Sequence, residues 1–198
     1  MTIKVGKGSC PFENYPLGIV TATTWLDVAN LVTLIRTHAI RAVIEIGVYK
    51  GGIAAMLMSR IPFDGGFRYL GVEILEGCVE ASVLAQVDRI GGAEIIIDDC
   101  FGEDFTEMAS DFINATGKEK AMVFCDGVDK PREMNHFADI IRQGDYLLTH
   151  DYLPEGGSPG NPGWADIEIL LANGRFEDAR PEHWPDQSLF LLRKMAKI

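Results

Sequence analysis

Between residues 41 and 151, short apolar runs alternate with stretches of helical periodicity, and an acid stands at or near the end of each run. The runs cover 42–46, 67–72, 94–97, 121–125 and 146–149. Helical spacing fills the gaps: 53–60 before Pro62, then Val79, Val83 and Val87 before Gly91 and Gly92, then 104–113 before Gly117. Pro131 suits a first helical turn, and Met134, Phe137, Ala138 and Ile141 continue it to Gly144. Strands joined through helices run parallel, because a parallel connection needs a long crossover. Helices then cover both faces, which explains strands that are apolar throughout.

The two ends of the chain differ from this middle. Thr24 and Asp27 read as the cap and first turn of a helix whose stripe of Trp25, Val28, Ala29, Val32 and Ile35 faces the core. His38 and His136 fall on expected helices and read as ordinary. Residues 153–163 are rich in Gly and Pro and read as a mobile loop that could order over a substrate. A helix follows over 164–171, ended by Asn173 and Gly174. Residues 176–180 and 188–193 read as two strands; the connection of 181–187, which carries His183 and Trp184 as a surface turn, is too short for a crossover, so they pair antiparallel. The expected fold is a doubly wound α/β domain over 1–198. It has an N-terminal extension and helix (1–40), and a core (41–198) with a mostly parallel seven-stranded sheet and an antiparallel last strand.

The net charge of -11 and the pI of about 4.8 argue against nucleic acid or an anionic membrane as partner, since both reward basic surfaces. No run approaches the ~20 apolar residues that span a bilayer. Residues 1–10 lack an apolar signal core. Cys10, Cys78, Cys100 and Cys125 show neither CxxC nor finger spacing and read as free thiols in the cytoplasm.

Ligands of open parallel sheets bind beyond the carboxyl ends of the strands. Glu45, Glu73, Asp98, Asp99, Asp126, His150 and Asp151 gather there, and such a row of acids calls for a cation or a hydroxyl-bearing ligand to offset its repulsion. The first turn, Glu45-Ile46-Gly47-Val48-Tyr49-Lys50-Gly51-Gly52, lets the backbone approach a ligand closely. Its glycine spacing misses the dinucleotide fingerprint, and an acid beside pyrophosphate is unfavourable. A nicotinamide-dependent oxidoreductase is therefore the weaker rival.

Glu45, Gly47 and Gly51, followed by Glu73 and Asp99, resemble the class I S-adenosylmethionine (SAM)-dependent methyltransferases over roughly residues 40–193. The resemblance implies SAM at Glu45, Gly47, Tyr49, Gly51, Glu73, Asp99, Cys100 and Asp126, with Glu73 on the ribose and Asp99 near the adenine. Phe124-Cys125-Asp126-Gly127-Val128-Asp129 and Thr149-His150-Asp151-Tyr152 narrow it to the branch of sugar and macrolide O-methyltransferases and the cephalosporin-hydroxylase-like proteins. That branch implies a divalent cation, Mg²⁺ for an oxygen-rich set, at Asp126 and Asp151 with His150 as third ligand or as base. Where the branch has a histidine base, this chain has Asp129, with Lys130 next. Asp129 reads as a base, a further metal carboxylate or the cap of the following helix; Lys130 and His150 are the other catalytic candidates. The expected acceptor is a hydroxyl on a small molecule, the expected assembly a homo-oligomer. A non-catalytic SAM- or metal-binding module is the alternative.

Overall fold

The computed structural model describes residues 25–182, 184 and 189–196. The Thr24 cap, Cys10, His183 and the start of the last strand at residue 188 lie outside them. The elements run α1 (Trp25–Thr37), β1 (Ile40–Ile46), α2 (Gly52–Arg60), β2 (Arg68–Glu73), α3 (Ala81–Val87), β3 (Ala93–Ile97), α4 (Glu103–Asn114), β4 (Lys120–Cys125), α5 (Lys130–Ile140), β5 (Tyr146–Thr149), α6 (Trp164–Ala172), β6 (Phe176–Asp178) and β7 (Phe190–Lys194). One seven-stranded sheet holds every strand in the order β3-β2-β1-β4-β5-β7-β6. Its first five strands are mutually parallel, while β7 is antiparallel to both β5 and β6, as the short connection required.

Two apolar clusters sandwich the sheet. One joins α1, α2 and α3 to Val43, Tyr69, Met122 and Leu148; the other joins α4, α5 and α6 to Ile44, Leu70, Val123 and Leu147. Alternate residues of one strand thus feed opposite cores. The covered-on-both-faces expectation fails at β3, whose residues are half-buried or exposed because it is an edge strand.

On α1 the buried face is Asp27, Val28, Leu31, Leu34 and Ile35, while Ala29 is exposed and Val32 half-buried. The expected stripe was rotated by about one position, and the correction brings Asp27 inward. His38 lies just past the helix, its Nδ1 2.9 Å from the Tyr146 hydroxyl. The 153–163 loop is tied at several points: the Leu153 N–H donates to the Pro162 carbonyl at 2.9 Å, and the Lys130 N–H to Gly160 at 3.1 Å. No described helix is long and apolar enough to cross a membrane.

Candidate active site

Switching strand order between β1 and β4 opens a crevice beyond the carboxyl ends, where a cleft of about 260 Å³ forms. Gly47, Glu73, Asp98, Asp99, Cys100, Phe101, Asp129 and Glu133 line it, between apolar walls of Ile46, Val72, Ile74 and Val128. Two glycines make the cleft possible. Gly47 has φ +83°, and a Cβ there would stand 2.6 Å from the Gly127 Cα. A Cβ on Gly127 would stand 2.3 Å from Glu133 Oε1. Bare backbone on both sides keeps the walls close together.

Glu73 ends β2 and is buried. Its Oε2 accepts the Tyr49 N–H at 2.7 Å and its Oε1 the Leu75 N–H at 3.0 Å, which fixes the carboxylate and leaves lone pairs for ligand hydroxyls. Tyr49 contributes that backbone donor from a left-handed conformation (φ +51°), while its ring stays half-exposed. Gly51 starts α2 and packs on Val83, away from the cleft. Glu45 is likewise absent from the lining: it is 1% exposed and accepts a short hydrogen bond from the Tyr69 hydroxyl. Burial pushes its pKa well up; the Tyr69 bond opposes this, while Asp126 and Glu73 add to it. Asp99 is exposed, and its Oδ1 caps its own turn by accepting the Phe101 N–H at 3.0 Å. Burial, with the charges of Glu133 and Asp99, pushes the Cys100 thiol up to about 12, so it contributes shape rather than a nucleophile.

Sheet register places the second group of residues. Cys125 pairs with Thr149 across β4 and β5, so the next residues on each strand, Asp126 and His150, stand side by side. His150 Nδ1 lies 3.0 Å from Asp126 Oδ1 and 3.4 Å from Asp151 Oδ1. Asp151 reaches the cluster from a positive φ of +54°, an unusual backbone for a residue with a Cβ and a mark of functional sites. One ligand atom from each of Asp126, His150 and Asp151 lies within 4.8 Å of the others. Lys130 is buried among them: its Nζ is 3.3 Å from Asp151 Oδ2, 3.9 Å from Asp126 Oδ1, 2.9 Å from the Gly127 carbonyl and 3.4 Å from Asn161 Oδ1. Asp129 is the N-cap of α5, accepting the Arg132 N–H at 3.3 Å, and touches the cleft rather than the cluster.

Three residues join the site without having been expected there. Asp27 faces His150 Nε2 at 3.7 Å from the buried side of α1. Burial alone would lower the His150 pKa, but contacts with Asp126 and Asp27 and the charges of Asp126 and Asp151 raise it to about 10. Asn161 brings the 153–163 loop to Lys130. Glu133 accepts the Gly127 N–H at 3.2 Å and the Asp129 N–H at 3.1 Å, holding the cleft wall in place. Burial raises its pKa to about 7, against those two hydrogen bonds and Lys130. Its place four residues after the Asp129 cap was the one available signal.

No protein-family model matches the chain, and no curated protein matches it in sequence. Solved structures match it in fold. The O-methyltransferase TomG from Streptomyces achromogenes, involved in tomaymycin synthesis and in complex with SAM, is 17% identical over 88% of this chain and 82% of its own, with a TM-score of 0.65. An apo structure of CmcI is 16% identical over 91% and 75%, with a TM-score of 0.66. An O-methyltransferase from Bacillus cereus, in complex with SAH, is 14% identical over 87% and 82%, with a TM-score of 0.63. This chain therefore has the Rossmann-like fold of the class I methyltransferases.

Proposed function

We propose that the protein is a SAM-dependent O-methyltransferase that uses a divalent cation to methylate a hydroxyl on a small molecule. One observation carries the reading: the cleft and the cluster adjoin along one segment, Asp126 belonging to the cluster and Gly127, Val128 and Asp129 to the cleft lining, so a donor in one would lie beside an acceptor at the other. Glu73 would hold ribose hydroxyls, and the turn of Asp98 to Phe101 would border the adenine. The cleft fits a nucleoside, since its walls are apolar and its anchored carboxylate suits hydroxyls but not phosphate.

Two carboxylates and an imidazole also fit a divalent cation, with Asp126 and Asp151 as the oxygen ligands. Such an ion would lower the pKa of an acceptor hydroxyl bound to it. Transfer is a displacement at the methyl carbon, and holding both reactants in line supplies much of the rate. Lys130, its Nζ 3.3 Å from Asp151 Oδ2, would stand beside such a hydroxyl, whereas Asp129 is engaged at the start of α5. That same engagement favours a second reading, a SAM-binding module without turnover. Three free cysteines among the described residues suit the reducing cytoplasm.

Titration calorimetry with SAM, with and without Mg²⁺, tests the proposal on the wild type, Glu73→Ala and Asp151→Asn. The expected result is binding lost in Glu73→Ala and a Mg²⁺ effect lost in Asp151→Asn. No SAM binding in any condition would overturn it, and binding without methyl transfer to any hydroxyl acceptor would favour the module.

A further inference from the structure

Asp27 is the one acid of α1, and it lies on the buried face of that helix among Val28, Leu31, Leu34 and Ile35. Burying a carboxylate costs stability unless it is paired. The Oδ2 of Asp27 faces His150 Nε2 at 3.7 Å, and both side chains are almost fully buried. An apolar residue would serve the packing of α1 equally well, so the acid calls for another reason.

The geometry of His150 supplies one. Its Nδ1 stands 3.0 Å from Asp126 Oδ1 and 3.4 Å from Asp151 Oδ1. Carboxylates therefore lie against both ring nitrogens at once. Turning the ring over about its Cβ–Cγ bond would set C–H groups against them, so the acids select one orientation. The rest of the residue is held as well: its backbone N–H donates to the Cys125 carbonyl at 3.1 Å, and its ring meets that of Phe124 edge-to-face, with centroids 6.4 Å apart. A neutral imidazole has one N–H and one lone pair. With the N–H on Nε2, towards Asp27, the lone pair falls on Nδ1, towards Asp126 and Asp151. A carboxylate orients a metal-ligating histidine in this way. The same engagement leaves neither nitrogen free to take a proton from an acceptor hydroxyl.

We propose that Asp27 is a positioning residue of the metal site: it holds the Nε2 proton of His150, so that Nδ1 serves as the nitrogen ligand beside the oxygens of Asp126 and Asp151. This rests on the divalent-cation part of the methyltransferase reading, and it assigns His150 as ligand rather than base. Nδ1 releases its proton to solvent on ligation, and Nε2 keeps its own. Helix α1, which precedes the alternating strands and helices, thereby becomes part of the site.

Mn²⁺ is the probe, with calorimetry for its affinity, pulsed EPR for its ligands, and SAM binding measured on the same samples of the full chain. Wild-type Mn²⁺ is expected to show the nitrogen coupling of a ligating imidazole, absent in His150→Gln. Asp27→Ala should weaken Mn²⁺ binding about 10–100-fold and leave SAM binding unchanged. Asp27→Asn should lose less, because its amide oxygen still accepts the Nε2 proton. Should Asp27→Ala fail to fold, Asp27→Leu, which suits the apolar face of α1, takes its place with the same expectation. Bound Mn²⁺ without nitrogen coupling in the wild type would overturn the proposal. So would Mn²⁺ affinity unchanged by loss of the carboxylate, or an equal loss of SAM binding, which a merely structural role predicts. A wild type that binds SAM but no Mn²⁺ would sink this inference and the cation together and leave the SAM site standing; one that binds Mn²⁺ as expected but no SAM would sink the methyltransferase reading alone.

Discussion

Replacing Glu133 by Gln should flatten the pH dependence of stability across one particular window. The carboxyl is 2% exposed, and burial raises its pKa from the ordinary 4.5 to about 7. The folded protein therefore keeps a proton that the unfolded chain releases above about 4.5. Folding stability falls as pH rises from that value through about 7, and is greatest below it. At about 1.4 kcal/mol per pH unit, the loss from this one group comes to roughly 3–3.5 kcal/mol. Gln carries no proton to lose, but its amide can accept only one of the two backbone N–H bonds from Gly127 and Asp129, a cost of roughly 1–3 kcal/mol. The variant should thus be clearly less stable than the wild type near pH 5 and close to it near pH 8. Urea unfolding at both values gives the difference directly. Parallel stability profiles for the two proteins would refute the reasoning, because they would mean that Glu133 titrates alike in the folded and unfolded chains.

Other substitutions probe other parts of the account. Gly127→Ala puts a Cβ 2.3 Å from Glu133 Oε1, so the carboxylate must leave its two N–H donors; urea unfolding should show a loss of about 1–3 kcal/mol. Tyr69→Phe leaves the buried Glu45 without its hydroxyl donor and should cost a similar ~1–3 kcal/mol in the same assay. Asp27→Asn removes a charge facing His150 Nε2, so the His150 titration midpoint followed by NMR should fall below about 10.

The parallel half of the sheet was legible because its interior strands are short apolar runs that end at an acid, which the equally apolar run 53–58 of α2 does not. The acids at their ends were legible for the same reason, once the sheet was accepted. What the residues do there was less so. Glu45 has the place of a cofactor acid in the sequence, yet in the structure the hydroxyl of Tyr69, on the neighbouring strand, engages its carboxylate, and only the pairing of β1 with β2 reveals that. On α1, Val28, Leu31, Val32, Leu34 and Ile35 support two overlapping stripes at helical spacing. The packing chose the one that buries Asp27, and no local preference distinguishes them. Glu133 reaches the cleft wall because Gly127 has no side chain, a condition set by two residues six apart and invisible to periodicity. The link from Lys130 to Asn161 depends on how the 153–163 loop folds back, which its Gly and Pro content leaves open.

The central claim is that a SAM site and a metal site meet at Asp126–Asp129. Mn²⁺ in place of Mg²⁺ tests it most directly, through its effect on the relaxation of the S-methyl protons of bound SAM. Strong enhancement in the wild type, lost in Asp151→Asn while SAM remains bound, is the predicted result. SAM that binds with its methyl relaxation untouched by Mn²⁺ would contradict the claim.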